Sequence, residues 1–466
     1  MPRIVIVGGG PAGYEAALVA AQLDAEVTIV EQNGLGGACV LYDCVPSKTF
    51  IATSETMNSF RDAAALGVRA VDPEALSVDA PVVHGRVKRL AQAQSHDVHD
   101  RLIREGVRVL IGTARFVDID DGRTHVLHAL TEDGPQRLEA DIVLVATGAT
   151  PRIVPGAVPD GERILTWRQI YDLPQLPERL VVVGSGVTGA EFASAYTEMG
   201  VDVTLVSSRD RVLPGEDSEA AALLEEVFTK RGMQIVKGAR ASGVRRTPGG
   251  VVVELDDGRS VDGSHALMTV GSVPNTGDLG LEQAGVEVSS RGFVPVDRVS
   301  RTNIPGVYAA GDCTGLLMLA SVAAMQGRIA MWHALGEAVT PLKLKTVSAN
   351  VFTHPEIATV GIRQRAIETG EVAARAVTFP LATNARAKMQ GLTEGFVKLF
   401  CRPATGVIVG GVVVAPAASE LILPITVAVQ NNLSVYQLAQ TFAVYPSLTG
   451  SITEAARQLM EHDDLD

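Results

Sequence analysis

Hydrophobic and polar positions change their spacing in a regular order at the start of the chain. The stretch RIVIVGGGPAGYEAALVAAQLDAEVTIVE (residues 3–31) predicts an apolar strand, a tight glycine turn, an Ala-rich helix and a second strand. The same pattern recurs in RLVVVGSGVTGAEFASAYTEMGVDVTLVSSRDRVLP (residues 179–214). The chain is therefore expected to contain two strand–helix–strand units.

The glycines of each predicted turn follow the spacing GxGxxG. In this pattern the first glycine permits the turn, the second lets a pyrophosphate approach the backbone, and the third allows close helix packing. A structural glycine turn is the alternative for a single motif, but the strand context favours dinucleotide sites. The glycines are Gly8, Gly10 and Gly13 in the first unit and Gly184, Gly186 and Gly189 in the second.

The two units differ at the end of their second strand. Glu31 closes the first and is placed to accept hydrogen bonds from an adenosine ribose. The second ends on Ser207, followed by Arg209 and Arg211, so a 2′-phosphate meets no repelling carboxylate and has Arg209 to pair with. We expect NADPH to be accepted alongside NADH. The alternative is that both arginines are solvated surface residues.

The most apolar region of the chain is VIVGGVVVAPAASELILPITVAVQ (residues 407–430). Pro416, Glu420 and Pro424 interrupt it, so a membrane span would bury a carboxylate in lipid. A strand, a turn and a core helix are expected instead. Two Pro-bearing stretches, residues 172–180 and 338–347, are typical of domain joints.

Composition narrows the class of protein. At 466 residues the chain should form about three domains. A formal charge of −13 without a basic block argues against a nucleic-acid partner. Four cysteines are too few for a secreted disulfide scaffold, and a strand pattern begins within three residues of the N-terminus, so we expect no signal peptide and a reduced, cytoplasmic setting. No spacing of His, Cys or carboxylates predicts a metal site.

The segment GGACVLYDCVPSK (residues 36–48) places Cys39 and Cys44 five positions apart. Five residues of regular helix advance roughly 7.5 Å, whereas the Cα atoms of a disulfide lie about 4.4–6.8 Å apart. A bridge therefore needs a distorted turn, and such a bond would be readily reduced, as an electron relay requires. The alternative is two buried apolar thiols. Lys48 lies four residues after Cys44, where its charge could stabilise a thiolate.

With two nucleotide units and this segment, the sequence resembles the FAD-dependent pyridine nucleotide–disulfide oxidoreductases, in particular their dihydrolipoamide dehydrogenase branch. The resemblance covers nearly the whole chain. The redox segment is followed in the family's order by five further segments. They are LVATGATP (144–151) and TNIPGVYAAGD (302–312) for the flavin domain, VGSVPNT (270–276) for the nicotinamide domain, and VFTHPEIATVG (351–361) and GFVKL (395–399) for the dimerisation domain.

The resemblance implies an α/β fold with two Rossmann-like dinucleotide-binding domains, for FAD and NAD(P), and a C-terminal α+β dimerisation domain. It further implies a homodimer whose active face is shared between subunits. The expected boundaries are 1–149 for the FAD domain, 150–275 for the NAD(P)H domain, 276–345 for a return to the FAD domain, and 346–466 for the interface domain.

The resemblance also implies roles for individual residues. Cys44 would face the flavin as the charge-transfer thiolate, Cys39 would be the interchange thiol, and Lys48 would pair with Glu191 and position the nicotinamide. Asp312 would hold the flavin ribityl chain. The further residues expected to line cofactors are Gly37, Gly112, Ala114, Thr147, Gly148, Gly271, Leu319 and Ala320.

The sequence departs from the family near its C-terminus. Relatives carry a segment resembling HPTLSE, whose histidine and glutamate act as an acid–base pair, whereas this chain reads YPSLTG (445–450), with Tyr445 and Gly450 in their places. A phenol that titrates near pH 10 is a poor base at neutral pH. The loss of this pair should slow thiol–disulfide exchange by about 10²–10⁴-fold, and Glu454 is the alternative proton carrier.

Hydride delivery to the flavin does not need the histidine–glutamate pair of the relatives. A quinone can accept two electrons, with protons from water or from the Tyr445 hydroxyl. The leading hypothesis is therefore an NAD(P)H:quinone oxidoreductase. Three alternatives stay open. They are a disulfide reductase that uses Cys39 and Cys44, a redox-sensing flavoprotein with little turnover, and hydride transfer between NADH and NADPH.

Overall fold

The computed structural model describes residues 1–68, 76–120 and 124–460. The chain divides into two compact units, each assembled from separate segments. Unit one consists of Met1–Thr49, His84–Arg152 and Gly271–Lys343, and unit two consists of Phe50–Val83, Ile153–Val270 and Leu344–Asp466. The α/β fold expected from the sequence is confirmed, whereas the four domain boundaries stay a prediction.

Unit one is built on a sheet with the strand order β17-β6-β1-β2-β3-β4-β5. Its first five strands are parallel, and the run from β3 to β5 is antiparallel. The strands of this sheet are β1 (Arg3–Val7), β2 (Glu26–Glu31), β3 (Arg108–Asp120), β4 (Thr124–Thr131), β5 (Gly134–Ala140), β6 (Ile142–Val145) and β17 (Val307–Ala309). A separate antiparallel pair is formed by β7 (Ala149–Pro151) and β16 (Ser272–Pro274).

Helices cover the parallel part of this sheet. Strands such as β1 and β6 are apolar at nearly every position, as is typical of parallel strands covered on both faces. One helix pair packs so closely that a Cβ on Gly327 would lie 2.1 Å from the carbonyl oxygen of Ala12. The helices that begin or lie in this unit are α1 (Pro11–Gln22), α2 (Gly37–Leu41), α3 (Cys44–Asp62), α4 (Ala80–Arg104) and α7 (Ala320–Ala334).

Unit two contains a second parallel sheet with the order β11-β10-β9-β15-β8. Beside it lies an antiparallel sheet in the order β12-β13-β14. The parallel strands are β8 (Ile164–Thr166), β9 (Arg179–Val183), β10 (Asp202–Val206), β11 (Gln234–Val236) and β15 (His265–Met268). The antiparallel strands are β12 (Ala241–Thr247), β13 (Gly250–Leu255) and β14 (Ser260–Gly263), and the helices are α5 (Val187–Glu198) and α6 (Ser218–Lys230).

The last part of unit two is an antiparallel sheet in the order β18-β19-β22-β21-β20, with helices packed on its apolar face. Its strands are β18 (Ser348–Val351), β19 (Glu356–Gly361), β20 (Arg375–Pro380), β21 (Phe396–Cys401) and β22 (Ile408–Ala415). Its helices are α8 (Gln364–Glu368), α9 (Ala385–Met389), α10 (Ala418–Gln430), α11 (Val435–Ala439) and α12 (Gly450–Met460).

The strand, turn and helix expected in residues 407–430 are confirmed, since β22 is followed directly by α10. Pro424 lies inside that helix. Within the described residues, no helix combines the length and the apolar character that crossing a membrane requires.

Candidate active site

The first glycine turn joins β1 to the N-terminus of α1. Gly8 has φ +107°, and a Cβ there would lie 2.3 Å from the carbonyl oxygen of Ala146. A Cβ on Gly13 would lie 1.9 Å from the oxygen of Gly8, whereas a Cβ on Gly10 would meet nothing within 4 Å. The first and third glycines are therefore required by close packing, and the second leaves open space before the helix N-terminus, as a bound phosphate requires.

Three strand ends of unit one meet at this turn. Because β17, β6 and β1 are adjacent and parallel, the residues that follow them lie at one edge of the sheet. These residues include Asp312, Gly148 and Gly8, which come from three distant parts of the sequence. Ligands of open α/β sheets bind at such a carboxyl edge. The fold thus brings together the predicted cofactor residues at these strand ends.

Glu31 lies at the end of β2, the next strand of the same edge. Its Oε2 accepts the N–H of Gly9 at 2.7 Å, and its Oε1 accepts the N–H of Asn33 at 2.7 Å. The side chain is buried. A carboxylate offers about four acceptor positions, so each oxygen retains capacity for a ribose hydroxyl.

Asp312 lies at the start of a short 3₁₀ helix after β17. Burial, together with the charge of Asp43, raises the pKa of its carboxyl to about 6. The side chain of Gln326 accepts the N–H of Gly311 at 2.9 Å and holds this turn. A mostly buried carboxyl whose charge is disfavoured by burial suits a ligand hydroxyl as its hydrogen-bond partner.

The other predicted cofactor residues of unit one lie in turns, in strand β3 and at the start of helix α7. Thr147 donates from Oγ1 to the oxygen of Asn275 at 2.7 Å, and Gly148 has φ +68° with open space beside it. Gly271 accepts the N–H of Arg152 at 2.9 Å. The rest lie in secondary structure, with Gly112 and Ala114 in β3, Leu319 capping α7 and Ala320 beginning it.

The redox segment is broken into two helices. Cys39 lies in α2, the chain leaves helical geometry at Tyr42, and α3 begins at Cys44. The expected distorted turn between the cysteines is therefore present. A Cβ on Gly37 would lie 2.8 Å from the Cα of Gly10, and the N–H of Gly36 donates to the oxygen of Gly9 at 2.8 Å.

Cys39 and Cys44 are free, partly buried thiols joined by a hydrogen bond. That bond lowers the pKa of Cys39, and the same bond together with burial raises the pKa of Cys44. Of the two thiols, Cys39 is therefore the one favoured to lose its proton first. The charge of Lys48 favours the thiolate at both positions. The assignment of Cys44 as the flavin-facing sulfur stays a prediction.

Asp43 is a site residue that was not predicted from the sequence. Its negative charge raises the pKa of both thiols and of Asp312. Asp43 lies in the break between α2 and α3, directly before Cys44. A carboxylate next to a predicted redox cysteine was the signal in the sequence that could have identified it.

The second glycine turn, in unit two, repeats the first. Gly184 has φ +112°, and a Cβ there would lie 2.4 Å from the oxygen of Thr269. A Cβ on Gly189 would lie 1.8 Å from the oxygen of Gly184, and a Cβ on Gly186 would meet nothing within 4 Å. The same geometry of the glycine turn therefore occurs twice in the chain.

At the end of β10, Ser207 is fully buried, whereas Arg209 is exposed. The Oγ atoms of Ser207 and Ser185 lie 2.7 Å apart. Arg211 is partly buried and donates to the oxygen of Pro214 at 3.2 Å. Ser207 is a residue predicted from the sequence, whereas Ser185, which lies between the glycines of the turn, was not predicted.

Glu191 lies on α5 and is buried in unit two. Its Oε1 accepts the N–H of Phe352 at 2.9 Å, and the Oγ of Ser194, one turn further along, accepts the N–H of His354 at 3.2 Å. The orientation of Glu191 is thus set by the segment that follows β18. Its pairing with Lys48 stays a prediction.

Tyr445 is 85% exposed and lies between α11 and α12. Gly450 is the first residue of α12. Glu454, the possible substitute base, receives two hydrogen bonds from Arg457, and these lower the pKa of its carboxyl. A carboxylate held in its ionised form by an arginine is a weak base near neutral pH.

Sequence comparisons assign most of the chain to one family. Residues 2–327 match the pyridine nucleotide-disulphide oxidoreductase profile, and residues 347–456 match the dimerisation domain of the same family. An NAD(P)H dehydrogenase (quinone) of Mycobacterium tuberculosis is 61% identical over 100% of this chain and 95% of its own length. A dihydrolipoyl dehydrogenase of Chlamydia pneumoniae is 31% identical over 98% of this chain and 97% of its own length.

A structural comparison gives the same relationship. The crystal structure of LpdA from Mycobacterium tuberculosis superposes with a TM-score of 0.94 at 60% sequence identity. The match covers 99% of this chain and 100% of that chain.

Proposed function

Because the chain belongs to the pyridine nucleotide–disulphide oxidoreductase family, we propose that it oxidises NADPH or NADH through bound FAD and passes two electrons to a quinone-type acceptor. The use of FAD and NAD(P)H follows from the family. The quinone is supported by the name of the 61% identical relative and by the substitutions at Tyr445 and Gly450. The dimerisation domain supports a homodimer.

The residues of unit one fit the flavin nucleotide. The open space at Gly10 and the N-terminus of α1 suit its pyrophosphate, Glu31 suits its ribose, and Asp312 suits a hydroxyl of its ribityl chain. Bound FAD would supply the group that takes a hydride and gives up two electrons. The protein binds and orients that group, and the charge of Lys48 favours negative charge at the neighbouring thiols.

The observation that carries the quinone proposal is the phenol at position 445. Cleavage of a disulfide needs a group that takes and returns a proton near neutral pH, and neither Tyr445 nor the arginine-bound Glu454 does this well. A quinone needs protons only after it has been reduced, and water or the exposed hydroxyl of Tyr445 can give them. The site therefore suits an acceptor that demands no strong base.

The test compares menadione and lipoamide as acceptors for the parent protein and for the variant Tyr445→His/Gly450→Glu. We expect the parent to reduce menadione efficiently and lipoamide poorly. The variant should gain about 10²-fold or more in lipoamide turnover while its menadione rate stays within about twofold. Tyr436→His is the matched control, since Tyr436 is another exposed tyrosine of the same sheet-and-helix region. Brisk lipoamide turnover by the parent would refute the proposal.

A disulfide reductase is the second candidate, supported by the hydrogen-bonded thiol pair and the lowered pKa of Cys39. Under this alternative, Cys39→Ser abolishes reduction of the physiological acceptor. Under the quinone proposal, Cys39→Ser retains most menadione turnover. The expected cytoplasmic setting stays a prediction.

A further inference from the structure

One face of α5 carries polar side chains that are buried in unit two. Glu191, Ser194 and Glu198 are spaced by three and four residues, so they lie on the same face of the helix. Each of them is 3% exposed. Burial of two carboxyl groups and a hydroxyl is costly unless they are hydrogen-bonded, so their partners show what this face holds.

The partners include the backbone of residues 352–355, which connect β18 to β19. Glu191 Oε1 accepts the N–H of Phe352 at 2.9 Å. Ser194 Oγ accepts the N–H of His354 at 3.2 Å. The connection is therefore tied to α5 at two backbone positions, and one of these bonds ends on Glu191.

Glu198 binds the side chains that hold His354. Its Oε1 accepts the hydroxyl of Ser194 at 2.8 Å and Nη1 of Arg231 at 3.1 Å. The same Nη1 donates to the carbonyl oxygen of His354 at 2.7 Å. One buried carboxylate thus orients both groups that bind the backbone of His354.

This arrangement fixes the direction of the Ser194 hydroxyl. A hydroxyl has a single proton, and since Ser194 gives it to Glu198, its lone pairs remain for the N–H of His354. Burial raises the pKa of Glu198, and the charge of Arg231 and the bond from Ser194 oppose this rise. A satisfied network of buried polar groups is rigid. The N–H of Phe352, two residues before His354, is therefore held in place as well.

We propose that Ser194, Glu198 and Arg231 set the orientation of the Glu191 carboxylate through the backbone of residues 352–354, and thereby the rate at which NADPH or NADH reduces the flavin. The three are positioning residues, because they act on Glu191 through that backbone. The inference rests on the proposed hydride transfer to FAD and on the predicted role of Glu191 at the nicotinamide.

The test measures anaerobic reduction of the flavin-loaded protein by NADPH and by NADH in a stopped-flow instrument. We expect Ser194→Ala to lower the limiting rate about threefold to tenfold, with the coenzyme Kd and the flavin content at the parent values. In a Glu191→Gln background the same change should lower the rate by less than about twofold, because the group that Ser194 positions no longer carries its charge.

Two substitutions at position 198 test the hydrogen bonds separately from the charge. Glu198→Gln keeps an oxygen that can accept from Ser194 and Arg231, so it should retain most of the rate. Glu198→Ala removes that acceptor and should lose as much as Ser194→Ala. Ser264→Ala is the matched control, since it removes a buried hydroxyl of the same unit that bonds to Arg179, and it should leave flavin reduction unchanged.

Equal rate losses from Ser194→Ala in the parent and in the Glu191→Gln background would overturn the inference, because Ser194 would then act independently of Glu191. The measurement uses no electron acceptor, so a failure of the quinone proposal would not affect it. A parent protein whose flavin is reduced by neither coenzyme would refute the proposed function and this inference together.

Hydrogen exchange of residues 348–356, followed by mass spectrometry, gives a second measure that needs no coenzyme. Ser194→Ala should speed the exchange of the N–H groups of both Phe352 and His354, because the bond lost at His354 loosens the whole connection. Unchanged exchange at Phe352 would show that Ser194 does not hold the partner of Glu191, and would also overturn the inference.

Discussion

At the scale of single residues, the hydrogen bond between Cys39 and Cys44 determines which proton leaves first. It lowers the pKa of Cys39, so this thiol begins to ionise at a lower pH than an ordinary cysteine does. In Cys44→Ala the donor is removed, so the pKa of Cys39 should rise and its alkylation at pH 7 should slow severalfold. The pH profile of iodoacetamide labelling, followed by mass spectrometry, measures this shift directly.

Cys313 is the internal control for that experiment. It is fully buried, burial raises its pKa to about 12, and its thiol donates to the carbonyl oxygens of Val145 and Ala310. It should stay unlabelled in the parent and in the variant. An unchanged Cys39 profile in Cys44→Ala would show that the neighbouring thiol does not control its ionisation.

The role of a single residue was predictable from the sequence where only one residue type fits the position. The glycines of the two turns are of this kind, because the short contacts at Gly13 and Gly189 leave no room for a side chain. The contacts of Ser207 and the influence of Asp43 were not predictable, since a hydroxyl or a carboxylate has many possible partners and the sequence does not say which are near. Such partners follow only from the fold.

At the scale of elements, the first strand–turn–helix predicts different results for two neighbouring glycines. Gly13→Ala places a Cβ 1.9 Å from a backbone oxygen, so it should lower the Tm and impair flavin retention. Gly10→Ala has φ −69° and open space, so it should keep the Tm of the flavin-free protein while it weakens flavin binding. Thermal melts and the absorbance ratio of flavin to protein distinguish the two. Equal thermal stability of both variants would contradict the packing argument.

The junction of α6 with β21 depends on a buried ion pair. Lys398 is 1% exposed and lies 2.9 and 3.0 Å from the carboxylate oxygens of Asp217, which accepts the N–H groups of Glu219 and Ala220 as the N-cap of α6. Lys398→Met leaves that carboxylate buried without its cation and should cost about 3–5 kcal/mol of stability.

The double variant Asp217→Asn/Lys398→Met should recover much of this loss, because asparagine caps a helix about as well as aspartate and carries no charge. Chemical denaturation of the parent, the single variant and the double variant gives the comparison. A single variant as stable as the parent would mean that the pair contributes nothing.

Elements with strong local patterns were predictable from the sequence, and contacts between distant elements were not. The strand and helix of residues 407–430 follow from hydrophobic spacing, even with Pro424 inside the helix. The hydrogen bond from the N–H of Phe352 to Glu191 joins residues 161 positions apart, and no local sequence pattern predicts it. The Asp217–Lys398 pair is of the same kind.

At the scale of the whole molecule, the segment before α12 presents an apolar surface. Phe442 is fully exposed in the single chain, and Val444 and Tyr445 are largely exposed, within the part that matches the dimerisation domain. Phe442→Glu should weaken the dimer, because it puts a charge where apolar surface would be buried. Sedimentation velocity should show a larger monomer fraction, and turnover per chain should fall at low concentration if the active face is shared.

Val158→Glu is the control for this surface, since Val158 is also strongly exposed but lies outside the matched dimerisation region. It should leave the sedimentation profile unchanged. Full activity of a monomeric Phe442→Glu protein would disprove the shared active face.

The whole-molecule arrangement was predictable through family resemblance more than through pattern. Two nucleotide units and a C-terminal antiparallel sheet are present as expected. The assembly of each unit from separated segments is a property of strand order, and β17 pairs with β6 although residues 146–306 lie between them in the sequence. Hydrophobic spacing alone carries no information about such a partner.

The hydrogen bond from Gly36 to Gly9 ties the start of the thiol-bearing helix to the nucleotide turn, and Gly37 lies against Gly10 without a side chain between them. A ligand bound at that turn is therefore expected to change the surroundings of Cys39 as well. The rate at which an alkylating reagent modifies Cys39 should then differ between protein with a filled and protein with an empty phosphate-binding turn.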